Sequence, residues 1–120
     1  MATVTVTTEK FDEVVQGEGI ILIDFWAAWC GPCRQFGPIF ERAADKHADL
    51  VFGKVDTEAE PELSDRFGIA SIPTLMVIRD GVIVFAEPGA LPEPVLENVI
   101  EQARALDMDD VRKRLADQSG

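Results

Sequence analysis

Apolar and polar positions follow two different periods along the chain, and the changes of period mark the elements. Thr3 to Thr7 alternates threonine with valine, the pattern of a short edge strand. Thr8 is placed to cap a helix running to about Gln16, with Phe11, Val14 and Val15 on one face and Gly17 as its stop. Ile20 to Trp26 is a continuous apolar run broken only by Asp24, as expected of a central strand covered on both faces. From Cys33 to about His47 the period is helical, with Pro38 expected to kink it. Leu50 to Asp56 reads as a second buried strand, and Ala59 to Phe67 as a short helix ended by Gly68. Thr74 to Ile78 and Val82 to Phe85 flank Asp80-Gly81, which predicts a hairpin with a type I′ turn. Pro92 to Leu106 carries Val95, Leu96, Val99, Ile100 and Ala103 at helical spacing. The order β-α-β-α-β-α-β-β-α predicts an α/β fold, a central mixed sheet with helices on both faces.

Residues 1–106 therefore read as one domain, and residues 107–120 as a C-terminal extension. Met108, Val111 and Leu115 fit a short helix there, and a frayed tail fits as well. With 47% hydrophobic and 28% charged residues, the composition is that of a globular protein. Eleven Lys and Arg against 22 Asp and Glu leave a net charge of −11, which argues against nucleic acid or an anionic membrane as partner. The stretch from Met1 to Phe11 lacks the form of a signal peptide, and the longest apolar run, Ile20 to Cys30, is about half a bilayer span. A cytoplasmic, reducing location is the expectation.

Chemistry enters at Trp29-Cys30-Gly31-Pro32-Cys33, where the buried strand meets the helix. A thiolate at a helix N-terminus lies near about half a positive elementary charge and near unpaired N–H groups, both of which stabilise the anion. Such settings lower a thiol pKa from about 8.5 into a range of about 3.5–7.5. A second sulfur one turn onward can attack the first once that one is held in a mixed disulfide. Cys30 suits the first task, and Cys33, inside the helix, the second. No metal is expected: zinc would need two further ligands, and the one histidine, His47, lies several turns along the same helix.

The run Asp24-Phe25-Trp26-Ala27-Ala28-Trp29-Cys30-Gly31-Pro32-Cys33-Arg34, followed by Pro38, Ile72-Pro73-Thr74 and Gly89-Ala90-Leu91, resembles the thioredoxin family over about residues 3–106. The resemblance implies the thioredoxin fold and a reductant of protein disulfides that cycles through a Cys30–Cys33 disulfide, with no bound cofactor. It implies as partners disulfide-containing client proteins and an NADPH-linked flavoprotein, thioredoxin reductase. The protein is expected to be a monomer. Gly-Pro between the cysteines argues against the oxidants of the family, which usually carry a histidine there. A binding module that uses the surface around Trp29 without redox chemistry is the alternative from another class.

Carried over residue by residue, the resemblance makes Asp24 a general base towards Cys33, and Lys54 the partner of that carboxylate. Burial alone predicts a raised pKa for Asp24. Pro73 matches a cis-proline opposite the cysteines, which would turn the Ile72 backbone towards an extended substrate. Trp29, Gly31, Pro32, Ile72, Pro73, Gly89 and Ala90 would form a flat, mostly apolar contact surface around Cys30. Pro88 departs from the aliphatic residue usual before Gly89, and Ser71 from the small residue, often glycine, before Ile72. Between Asp56 and Asp65 five acids stand without a base, either a solvated face or a bias towards basic partners.

Overall fold

A computed structural model describes residues 2–119; Met1 and Gly120, the outer ends of the expected domain and extension, lie outside the described residues. The apolar run forms β2 (Ile20–Trp26), buried at every position except the half-buried Trp26. Parallel to it runs β3 (Val51–Asp56), and antiparallel on its other side β4 (Thr74–Arg79). The edges are β1 (Thr3–Thr5), parallel to β3, and β5 (Val82–Pro88), antiparallel to β4. The sheet order is β1-β3-β2-β4-β5.

Because side chains alternate along a strand, β2 feeds two separate cores. Ile20 and Leu22 pack with Phe36 and Phe40 of α2 (Gly31–Lys46) and with Leu96 and Ile100 of α4 (Glu93–Ala105). Ile21, Ile23 and Phe25 point the other way, to Phe11 of α1 (Phe11–Val15) and Leu63 of α3 (Pro61–Arg66). Each such side chain contributes roughly 1.5–3 kcal/mol on burial, so the sheet is held from both sides. The result is the expected mixed sheet between helices.

The hairpin forms as its turn residues predict, with φ of 53° at Asp80 and 81° at Gly81, both positive as a type I′ turn requires. Two predicted helices come out shorter. The Thr8 amide donates to the Glu60 carboxylate at 2.8 Å, so residues 8–10 form a turn, with Thr7 Oγ1 accepting from the Lys10 amide at 3.3 Å. Ala59 is likewise held in a turn by Asp56, and α3 waits for Pro61. Helix α2 runs unbroken through Pro38.

The C-terminal segment forms α5 (Met108–Ser119). Asp107 Oδ1 accepts from the Asp110 amide at 3.2 Å, an N-cap that starts the helix afresh after α4. Arg79 donates to the carbonyls of Ala103 and Leu106, both at 2.7 Å, closing the end of α4. Met108 is buried, and Arg112 reaches Asp80 at 3.8 Å. No helix among the described residues is long and apolar enough to cross a membrane.

One close approach fixes a residue type. A Cβ at Gly53 of β3 would stand 2.7 Å from Val6 Cγ2 and 3.0 Å from Ile23 Cδ1, with both side chains fully buried. Gly53→Ala should cost about 1–3 kcal/mol in urea unfolding. Val6→Ala removes the nearer obstacle, so the double variant should cost less than the sum of the two singles. Strict additivity would show that the added methyl group is accommodated without strain at Val6.

Candidate active site

The site starts where β2 runs out of sheet. The Cys30 amide donates to the Ala27 carbonyl at 3.3 Å, turning the chain, and Cys30 then takes the N-cap position of α2 with an extended backbone. A cap ordinarily offers a side-chain oxygen to a first-turn amide; here Cys30 Sγ accepts from the Cys33 amide at 3.2 Å. Pro32, in the first turn, has no amide of its own to satisfy. The sulfur thus sits at the positive end of a sixteen-residue helix. Chain geometry puts Cys33 one turn on, and the two sulfurs are joined in a disulfide, with Cα atoms 5.2 Å apart.

Both cysteines are 4% exposed, packed in a small cluster with Ala27 and with the half-buried Trp26 and Ile72. Cys30 is therefore as covered as Cys33 in the disulfide form. The Ile72 carbonyl oxygen lies 3.6 Å from Cys30 Sγ. The Ile72–Pro73 peptide is cis, and the Pro73 carbonyl accepts from the Gly89 amide at 2.8 Å. Of the predicted contact residues, Gly31, Pro32 and Gly89 are exposed, Ile72 and Ala90 half-buried, and Pro73 buried. Trp29 stands out at 66% exposed.

Asp24 lies on the face of β2 that meets α2, in register with Lys54 of β3 and Leu75 of β4. It is 1% exposed, and neither carboxylate oxygen has a hydrogen-bond partner. Burial therefore pushes its pKa from 3.8 up to about 7, against the pull of the Lys54 charge and with a push from Glu41. Lys54 is half-buried, its ammonium 5.1 Å from the centre of the Trp26 ring.

Three site contacts escape a reading of local pattern. The Trp29 indole N–H donates to Glu58 Oε1 at 2.5 Å, Arg34 donates to the Ala28 carbonyl at 3.0 Å, and Thr3 Oγ1 donates to Glu41 Oε1 at 2.6 Å. The acidic run gave a signal near Glu58, but nothing in it singles out that residue. Three of its five acids have definite partners. Asp56 Oδ1 accepts from the Glu58 and Ala59 amides, Glu58 holds Trp29, and Glu60 holds the Thr8 amide. Glu62 and Asp65 are exposed. No group of three or more His, Cys, Asp or Glu among the described residues could hold a metal ion. His47 ends α2 at the far side from the cysteines, 2.8 Å from Glu97.

Comparison with known proteins agrees with this geometry. The thioredoxin family model matches residues 2–102. A protein named putative thioredoxin 2 from Streptomyces coelicolor is 63% identical over 117 residues, covering 98% of this chain and 87% of the relative, so most of α5 falls within the match. A thioredoxin from Alicyclobacillus acidocaldarius is 44% identical over 97 residues, covering 80% of this chain and 92% of its own. The crystal structure of a Malassezia sympodialis thioredoxin superposes with a TM-score of 0.76 at 33% identity, covering 84% of this chain and 90% of that one. With the Cys30–Cys33 disulfide at the head of α2, the chain belongs to the thioredoxin family and is a protein thiol–disulfide oxidoreductase.

Proposed function

We propose that Cys30 is the attacking sulfur, Cys33 the resolving sulfur and Asp24 the base that serves it. The observation that carries this assignment is the position of Cys30 Sγ at the N-cap of α2, accepting the Cys33 amide. In the reduced protein the same amide and the helix end favour a Cys30 thiolate. That thiolate attacks one sulfur of a client disulfide, forming a mixed disulfide and releasing the other client sulfur as a thiolate. Cys33 then loses its proton and attacks Cys30 Sγ, which frees the second client sulfur and forms the Cys30–Cys33 disulfide. Two electrons pass to the client. A flavoprotein thioredoxin reductase, drawing on NADPH, would return them.

Asp24 fits the proton-transfer role because its pKa, raised to about 7, lets it both accept and give up a proton near neutral pH. Lys54, its neighbour across β2 and β3, would stabilise the ionised form. Trp29, Gly31, Pro32, Ile72, Pro73, Gly89 and Ala90 would receive the client, with binding spread over a shallow apolar surface rather than a pocket. We place the protein in the cytoplasm as a monomer, with residues 1–106 as the redox domain and α5 as its appendage.

Insulin-disulfide reduction with dithiothreitol tests the assignment of the sulfurs. The parent protein should accelerate the reaction, Cys30→Ser should abolish the acceleration, and Cys33→Ser should accumulate mixed disulfides. Activity no faster than dithiothreitol alone would overturn it. Asp24→Asn should prolong the mixed disulfide by tenfold or more, since a positioned base contributes about 10²–10⁴-fold.

The same carboxyl costs stability, and the sign follows from linkage. Between about pH 4 and 7 the unfolded chain ionises at Asp24 while the folded chain keeps its proton. Stability is therefore lost as pH rises through that window, by on the order of 4 kcal/mol in full above pH 7. Asp24→Asn should accordingly be several kcal/mol more stable than the parent at pH 8, with the gain shrinking towards zero at pH 3.5. Chemical denaturation at both values measures it, and an equal gain at each would show that the carboxyl titrates normally.

A further inference from the structure

Cys33, Gly37 and Glu41 are spaced by four on α2 and so lie one above another on the same helix face. Opposite them, strand alternation puts Lys54 beside Phe52 on the α2 side of β3. Gly37 leaves the space that Lys54 uses. A Cβ there would stand 3.9 Å from Lys54 Nζ, so the ammonium rests against the helix between the turns of Cys33 and Glu41. Thr3, the register partner of Phe52 on edge strand β1, donates its hydroxyl to Glu41 Oε1 at 2.6 Å. That bond ties Glu41 to the sheet rather than leaving it to swing into water. On the other side of Lys54, one strand away, stands Asp24.

Lys54 therefore stands between the strand that carries Asp24 and the helix face that carries Glu41, and the two carboxyls differ in kind. Glu41 is half-buried, and its Oε1 accepts the Thr3 hydroxyl. Asp24 is buried and has no donor at all. A fixed negative charge beside Lys54 offsets part of the attraction that Asp24 would otherwise feel, and it repels an ionised Asp24 directly. Other groups facing this row do not compete. Asp56, next on the same face of β3, has Oδ1 engaged by the Glu58 and Ala59 amides, and β4 presents the apolar Leu75. Glu87 of β5, at the end of the row beyond Leu75, is exposed, and the joined cysteines carry no charge.

We propose that Glu41, oriented by Thr3, is a positioning residue that shares Lys54 with Asp24 and so keeps the buried carboxyl able to hold a proton at neutral pH. The proposal rests on Asp24 serving Cys33 only where it reaches catalysis; the coupling between the two carboxyls stands apart from that role. Burial remains the largest cause of the high proton affinity of Asp24, and Glu41 adds to it while Lys54 subtracts.

The test is a pH titration of the Asp24 side-chain carboxyl carbon by NMR in the full-length oxidised protein. Glu41→Gln keeps the shape and the acceptor for Thr3 but removes the charge, and it should lower the midpoint by about half to one pH unit, a threefold to tenfold loss of proton affinity. Glu41→Asp retains the charge and should hold the midpoint near the parent value. An unmoved midpoint in folded Glu41→Gln overturns the proposal. In the reduced protein, the pH profile of mixed-disulfide resolution should move down with the titration in Glu41→Gln. A titration that moves while the rate profile does not would uphold the coupling and refute Asp24 as the base for Cys33.

Discussion

The reactive end of the molecule depends on how β2, covered on both faces, hands the chain to α2. A strand packed only on one face could tilt. This one is gripped by Phe36 and Phe40 from one side and Phe11 and Leu63 from the other, so the direction in which it delivers Cys30 is set by two cores at once. The N-cap geometry then follows, because the first amides of α2 need an acceptor and the sulfur of Cys30 is the group that arrives there. The chemistry of the cysteine pair is in that sense a capping problem solved with sulfur in place of oxygen.

The same burial that fixes β2 makes Asp24 expensive. A carboxyl in the middle of a two-sided strand, with no donor to either oxygen, has no structural reason to be there that a leucine would not serve better. Its cost is spent in the window where the protein would work, since above about pH 7 the folded chain bears the full burden of the charge. On the proposed role of Asp24, stability and proton transfer draw on one property of one residue in opposite directions. Lys54 softens the conflict by favouring ionisation, and it does so from a half-buried position with its ammonium over the Trp26 ring.

What could be read from the chain divides along the line between local and distant causes. The β2 run, the strand-to-helix position of Cys30-Gly31-Pro32-Cys33 and the Asp80-Gly81 turn are set by residues adjacent in sequence, and all three appear in the fold as their patterns predict. Helix α1 begins later than Thr8 suggests because the Thr8 amide is taken by Glu60, 52 residues away. The extension is a helix because Asp107 caps it, a local signal, while its place beside the hairpin depends on Met108, Arg112 and Asp80 meeting in space. Cys30 and Asp24 were legible as unusual residues in an apolar run; Glu58 on Trp29 and Thr3 on Glu41 were not, being pairs of ordinary polar residues whose meaning lies in where the sheet brings them.

That division bears on how such a site is tuned. Residues that touch the sulfurs are constrained by the reaction, whereas charges placed one layer away act through the electrostatic balance around Asp24 and leave the sulfur geometry alone. The pair Thr3 and Glu41 spans β1 and α2, elements that hold the fold together in any case, so altering its charge need not disturb the cap at Cys30. A small edge strand of three residues then has a role beyond closing the sheet. By orienting Glu41 on α2, it bears on the balance of charge that Lys54 and Glu41 together exert on the buried Asp24.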